Sequence, residues 1–242
     1  MESKIQPGAR PSPARIVIAD DHGLVRQGFR GMLAREPDLE VVGEAGNGRE
    51  ALGLCSRLRP DLVLMDVRMP KMDGLEATRE IKQRHGKTSI LMVTMQENPD
   101  SLLEALKAGA AGYVLKGAPN SQIMNSIRRV LEGESPLNQE LAAQLITRLA
   151  NEVEQASDPE QETRSSSEPQ ERLPHSLTAR ELEVLRLLAR GETNQQIAQE
   201  LVVSSLTVKT HVQRIISKLG VSDRTQAAVR AVELRLLTPE PL

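Results

Sequence analysis

From residue 14 to about 132 the chain alternates short apolar runs with longer stretches of helical period. The runs are residues 15–19, 39–43, 62–65, 89–93 and 112–115. Each is short and rich in branched side chains, as in a buried parallel strand. Between them, residues 24–34, 48–57, 74–84, 100–108 and 120–132 repeat apolar positions at helical spacing. Five strands alternating with five helices predict an α/β doubly wound domain with a parallel five-stranded sheet over residues 14–132. Such sheets bind ligands beyond the carboxyl ends of their strands, where the strand order switches.

The pattern then changes twice. Residues 138–149 read as one more helix, with Leu141, Leu145, Ile146 and Leu149 on one face. Residues 151–176 hold only Glu, Gln, Ser, Pro and similar polar residues around isolated apolar ones. Their seven acidic side chains against Arg164 and Arg172 leave a net of −5. Together, residues 133–176 predict a linker helix followed by an acidic flexible linker. From residue 177 to 242 the pattern is purely helical. Thr178 with Glu181 forms a capping box that opens a helix through Ala189, stopped by Gly191. Thr193 or Asn194 caps a second helix to about Leu201. Ser204 or Ser205 caps a third that runs to Leu219 and stops at Gly220. A fourth spans roughly residues 224–236. These four predict a small all-α domain. Residues 1–13 are polar, hold three prolines and predict a disordered tail.

Composition narrows the function. The formal net charge of −2 does not announce a nucleic-acid binder. Phe29 and Tyr113 are the only Phe and Tyr and there is no Trp, which excludes recognition by stacking bases on aromatic platforms. Any nucleic acid must therefore be read as a duplex. The lone Cys55 excludes an internal disulfide framework and a Cys-based zinc site, and reads as a small buried hydrophobe. No run approaches the ~18 apolar residues of a membrane span. The N-terminus also lacks the apolar segment of a secretion signal. A cytoplasmic protein with no membrane association is expected.

Chemistry gathers at the strand ends. Asp20 and Asp21 follow the first strand, Asp66 closes the third, Thr94 ends the fourth and Lys116 ends the fifth. One Asp after a strand is often only a helix cap. Five such groups at four carboxyl ends of one sheet converge on a single crevice. Carboxylates crowded together favour a hard divalent cation such as Mg2+. That cation and a fixed ammonium offset the charge of an incoming phosphoryl group, which a carboxylate can accept as nucleophile. Asp61 and Asp73 read as turn residues. His22, His85, His175 and His211 are scattered, and neither a Gly-rich phosphate loop nor a Ser–His pair at motif spacing appears.

Three segments carry a resemblance: Val17-Ile-Ala-Asp-Asp-His22, Leu62-Val-Leu-Met-Asp-Val-Arg-Met-Pro-Lys-Met-Asp-Gly74 and Gly109-Ala-Ala-Gly-Tyr-Val-Leu-Lys116. They resemble the flavodoxin-like (CheY-like) receiver domains of two-component response regulators. The resemblance implies that Asp66 is the phosphoacceptor, served by a sensor histidine kinase. It implies that Asp20, Asp21, Asp66 and the backbone carbonyl of Arg68 hold Mg2+ or another divalent cation. Lys116 then contacts the phosphoryl group, and Thr94 with Tyr113 forms a switch pair. Met95 follows the switch Thr; it either narrows access to the phosphoryl group and slows attacking water, or is a surface side chain without kinetic effect. No general acid stands near Asp66 in the sequence, so the chain is expected to accept phosphate and self-dephosphorylate rather than turn over external substrates.

The stretch from Leu177 to about Ala231, including Gly191, Asn194, Ile197, Leu201, Thr207-Val-Lys209, His211, Ile215 and Lys218-Leu219, resembles the helix-turn-helix of the LuxR or NarL/FixJ class. In the helix from Ser204, the residues Leu206, Val208, Val212, Ile215, Ile216 and Leu219 are expected to supply the buried side. Lys209, Thr210, Gln213, Arg214 and Ser217 then face outward. Gln, Lys and Arg suit base edges in a major groove of double-stranded DNA, and Thr207 suits a phosphate. Gln195-Gln196 depart from a Lys–Glu pair common in that class. The fourth helix carries Ala227, Ala228, Ala231, Val232 and Leu236, which either close the bundle or, as the resemblance implies, pair two DNA-binding domains into a homodimer. A phosphorylation-controlled transcription factor is the expected function, with the linker and receiver masking the reading surface until phosphorylation. An aspartyl-phosphate hydrolase and a phosphorelay adaptor that never touches DNA are the competing functions.

Overall fold

The computed structural model describes residues 12–95, 99–134 and 177–234. The first part is a parallel sheet of β1 (Ala14–Ala19), β2 (Leu39–Ala45), β3 (Leu62–Asp66), β4 (Ser89–Thr94) and β5 (Gly112–Leu115), in the order β2-β1-β3-β4-β5. Its helices are α1 (Gly23–Leu33), α2 (Gly48–Leu58), α3 (Gly74–Arg84), α4 (Pro99–Ala108) and α5 (Asn120–Leu131). The order reverses between β1 and β3, so the switch point lies where Asp20 and Asp66 leave the sheet.

Alternation along each strand divides the core in two. Ile16, Ile18, Leu64, Leu91 and Val93 pack on one face with Phe29, Leu33, Ile123 and Ile127 from α1 and α5. Val17, Ala19, Val63, Met65, Ile90 and Met92 pack on the other with Ala51, Cys55, Ala77 and Ile81 from α2 and α3. Both faces are covered, which is why these strands read as continuous apolar runs. Full burial of a side chain such as Ile18 or Leu64 contributes about 1.5–3 kcal/mol relative to exposure.

Gly74 shows how tightly the loop after β3 folds back. A Cβ there would stand 1.9 Å from the backbone oxygen of Asp66, and Gly74 N–H donates to Val67 O at 2.9 Å. Only glycine permits that approach. Asp73 caps α3 by accepting from Glu76 N–H at 2.7 Å, and Asp61 accepts from Arg15 N–H at 2.8 Å. Both are local structural groups, as their turn positions suggest.

The helical part comprises α6 (Ala179–Ala189), α7 (Asn194–Glu200), α8 (Ser205–Leu219) and α9 (Arg224–Glu233). Thr178 with Glu181, and Thr193 with Gln196, form capping boxes for α6 and α7. Ser204 caps α8, and Gly220 ends it in the left-handed region at φ 67°. Val184, Leu185, Leu188, Ile197, Val208, Val212, Ile215, Ala227 and Ala231 build its core. One expectation fails: Leu206 is not in that core but 74% exposed. At 100° per residue it stands roughly 150° around α8 from the centre of the stripe formed by Val208, Val212 and Ile215, so no rotation buries both.

The two parts touch. Thr225 Oγ1 donates to Ala111 O at 2.9 Å, and Gln226 Nε2 donates to Leu106 O at 2.9 Å and Ala110 O at 3.1 Å. The expected helix at 138–149, the acidic linker, most of the N-terminal tail and Leu236 lie outside the described residues. Among the described residues no helix is long and apolar enough to cross a membrane.

Candidate functional site

Strand ends bring the acidic groups together. Asp20 is held directly after β1 by its N–H to Ala45 O at 3.0 Å. Its Oδ1 accepts from His22 N–H at 2.9 Å, and its carbonyl accepts from Arg26 Nη1 at 2.6 Å. Asp20 is 2% exposed and Asp66 6%. Lys116, placed after β5 by its N–H to Thr94 O, sets Nζ 2.6 Å from Asp20 Oδ2 and 2.9 Å from Asp66 Oδ2. Burial pushes the Asp66 carboxyl above its usual range, and Lys116 only partly opposes this. For Lys116 burial acts downward, but contact with both carboxylates outweighs it and holds the ammonium above its usual range.

The residues fit a hard divalent cation. Asp20 Oδ2 is buried with the Lys116 ammonium 2.6 Å away as its charged neighbour. Ligand atoms of Asp20, Asp21, His22 and Asp66 all lie within 4.8 Å of one another. Three carboxylates supply the oxygen donors Mg2+ prefers. Arg68 follows two residues after Asp66, outside the sheet and exposed. His22, not assigned a role from sequence, sets Nδ1 2.7 Å from Asp21 Oδ1 and 3.5 Å from Asp20 Oδ1; its adjacency to the Asp pair was the available signal.

Around this pocket Thr94 ends β4 beside β3, and Tyr113 pairs in register with Met92 and packs half-buried on the α2–α3 side of the sheet. Met95 points outward and is exposed. Cys55 is buried, which pushes its thiol up to about 12 and leaves it inert.

A second surface is α8. Ser205, Thr207, Lys209, Thr210, Gln213 and Arg214 are exposed, opposite the buried Val208, Val212 and Ile215. Thr207 is partly committed to the helix start: its N–H donates to Ser204 Oγ at 3.1 Å and the two hydroxyls lie 2.8 Å apart. Thr210 Oγ1 donates to Leu206 O at 3.0 Å. Gln196 Oε1 closes the α7 cap by accepting from Thr193 N–H at 2.8 Å. Arg224, buried at the start of α9, donates to Asn194 Oδ1 at 3.1 Å and to Glu192 O. Desolvation lowers its guanidinium to about 10, so it stays charged at neutral pH. It ties α7 to α9, a structural role that sequence reading missed. Ala227, Ala228, Ala231 and Val232 of α9 are all buried within this chain.

Comparison with known proteins finds a family for each of the two parts. Residues 16–128 match the response regulator receiver domain, and residues 175–231 match the bacterial regulatory proteins of the luxR family. The transcriptional regulatory protein LiaR of Bacillus subtilis (strain 168) is 41% identical over 218 residues, spanning 90% of this chain and 96% of its own. A solved LuxR-family two-component response regulator from Aurantimonas sp. SI85-9A1 is 37% identical with a TM-score of 0.52, covering 57% of this chain and 98% of its own. The solved RcsB response regulator of Salmonella typhimurium is 26% identical with a TM-score of 0.51, covering 87% and 94%. With an acidic pocket at the switch point of its receiver and a helix-turn-helix bearing an open polar face, the chain belongs to the LuxR-class response regulators, transcriptional regulatory proteins of two-component systems.

Proposed function

We propose that Asp66 accepts a phosphoryl group from a sensor histidine kinase, and that this modification switches sequence-specific DNA binding by α8. The observation that carries the reading is the position of Lys116 Nζ, 2.9 Å from Asp66 Oδ2 and 2.6 Å from Asp20 Oδ2. An Asp66 carboxylate oxygen forms the new O–P bond while the P–N bond of the kinase phosphohistidine breaks, its electron pair returning to the imidazole. Lys116 steadies the charge on the transferring oxygens. Asp20, Asp21, Asp66 and the Arg68 carbonyl would hold Mg2+, whose charge, when bound, offsets that of the phosphoryl group. Water attack on the acyl phosphate restores Asp66, so the chain resets itself without turnover of external substrates.

Thr94 and Tyr113 form the switch, and Thr207, Lys209, Thr210, Gln213 and Arg214 face the duplex. The functional units are residues 14–132 and 177–242, joined by 133–176, and the active form is a cytoplasmic homodimer on DNA. Asp66→Asn is expected to abolish stable Mg2+-dependent labelling by an acyl phosphate, because the amide is a poor nucleophile; Asp21→Ala is expected to reduce it. Intact mass reads both, and unchanged labelling of Asp66→Asn overturns the assignment.

A further inference from the structure

Four large apolar side chains stand exposed among the described residues, and two of them, Val202 and Leu206, lie in the helix-turn-helix. A single exposed apolar residue needs no explanation. Leu206 differs by its place. It occupies the first turn of α8, in line with Gln213 two turns later and flanked by Lys209 and Thr210, at the centre of the outward face. That turn is pinned at both ends: Ser204 receives Thr207 N–H at 3.1 Å, and Leu206 O receives the Thr210 hydroxyl at 3.0 Å. Leu206 is therefore a fixed apolar tip on the N-terminal part of the reading helix, the part that meets base edges in helix-turn-helix complexes.

We infer that Leu206 is a specificity-determining residue that selects a 5-methylpyrimidine, thymine in ordinary DNA, through apolar contact with its methyl group. The inference rests on α8 being the reading helix. Once α8 enters the major groove, water leaves Leu206, which has no hydrogen bond to give in exchange. Among major-groove features the thymine methyl alone requires none. Opposite guanine or cytosine the same side chain strips water from O6, N7 or N4 and leaves those groups unpaired, a penalty that adds to the discrimination. Burying one methyl group at about 0.8 kcal/mol corresponds to roughly fourfold in affinity.

The test uses the full-length chain and a randomised duplex pool, from which the parent enriches its preferred site. That site is then resynthesised with deoxyuridine for thymidine, one position at a time, removing only the methyl. The expected result is a loss of roughly fourfold at one thymine per half-site, with little change elsewhere. Leu206→Ala is expected to bind the thymine and uracil versions of that site alike while melting at the parent temperature, since little burial is lost. Parent affinity unchanged by uracil at every position overturns the inference, as does a methyl effect that survives in Leu206→Ala. Lys209→Ala separates the two levels of the argument. If it and Gln213→Ala both bind like the parent, α8 is not the reading helix. If it weakens binding while uracil has no effect, α8 reads the groove and only the role of Leu206 falls. A pool that yields no enriched site overturns both.

Discussion

Lys82 Nζ lies 3.4 Å from Asp223 Oδ2, joining α3 of the receiver to the N-cap of α9, with the two side chains only 11% and 7% exposed. Lys82 also donates to Thr88 O at 2.9 Å, and burial holds its ammonium below the usual lysine range against the pull of Asp223. With the bonds from Thr225 and Gln226 to the α4–β5 connection, this pair fastens the start of α9 to the receiver. The outward face of α8 stays open. The receiver thus contacts α9, the helix that the resemblance implies pairs two DNA-binding domains, and the outward face of α8 is not among its contacts. Lys82→Met keeps the aliphatic stem and leaves Asp223 buried without its cation. Removing one partner of a fully buried pair costs about 3–5 kcal/mol. Undocking lets Asp223 regain water, so a shift in docking of roughly tenfold is expected. Small-angle scattering should show a larger radius of gyration for the unphosphorylated variant, and its DNA affinity should rise. A variant as compact as the parent, with the same affinity, removes the pair from the control of docking.

Thr94 stands at the pocket end of the β4–β5 pair, and the docking surface at its other end. Lys116 N–H donates to Thr94 O, and β5, which begins next to the Ala111 carbonyl that holds Thr225, pairs with β4 up to Thr94. Phosphorylation adds acceptor oxygens at Asp66, toward which the Thr94 hydroxyl is expected to move while Tyr113 turns inward. Thr94→Ala should still be labelled at Asp66, yet fail to gain DNA affinity on labelling. A Thr94→Ala protein that responds to phosphodonor as the parent does would rule this switch out.

Much of this was written in the chain. Each strand begins within a residue or so of its apolar run. β2 continues to Ala45 because Ala45 pairs with Ala19, a register that no local pattern contains. The pocket was legible because chemistry-bearing residues stand at strand ends, where parallel topology must gather them. Leu206 was misplaced by counting apolar residues rather than phasing them: Val208, Val212 and Ile215 alone define the buried stripe, and Leu206 lies opposite. The Lys82–Asp223 pair joins residues 141 apart in different folding units, so no spacing announces it. The buried Arg224 is met by Asn194 and the Glu192 carbonyl, and the Glu134 carboxylate supports its charge, which depends on how α7, α9 and the end of the receiver pack.

The helical domain should carry a definite acid sensitivity. Burial acts to raise the Glu181 carboxyl, but Lys218, 2.6 Å away, and the Thr178 N–H and hydroxyl outweigh it and hold it down at about 2. The folded value lies below the ordinary carboxylate value, so the unfolded chain binds the proton more readily. This stabilisation is complete above about pH 5 and is lost as pH falls through the window between the ordinary 4.5 and 2. Allowing for solvent near Lys218, it amounts to about 1–2 kcal/mol. Glu181→Gln should melt earlier than the parent at neutral pH and converge on it near pH 2. Thermal unfolding at several pH values measures the gap, and a gap independent of pH would show that Glu181 stabilises by packing instead.

Lys209 offers the cleanest separation of phosphate gripping from base reading on α8. It is exposed, on the outward face beside Gln213. If its ammonium grips a phosphate, Lys209→Ala should weaken binding to specific and scrambled duplexes by the same factor. The slope of log affinity against log salt should also fall by about one unit, because one fewer counterion is released. If it bonds guanine O6 and N7, the loss should be about 1–3 kcal/mol and confined to the preferred site. Gln213→Ala should chiefly relax sequence preference in either case. Fluorescence anisotropy on both duplexes at three or more salt concentrations distinguishes these outcomes. Parent-like binding by Lys209→Ala and Gln213→Ala together would place the reading surface elsewhere, since both are exposed long polar side chains beside Leu206 on the open side of α8.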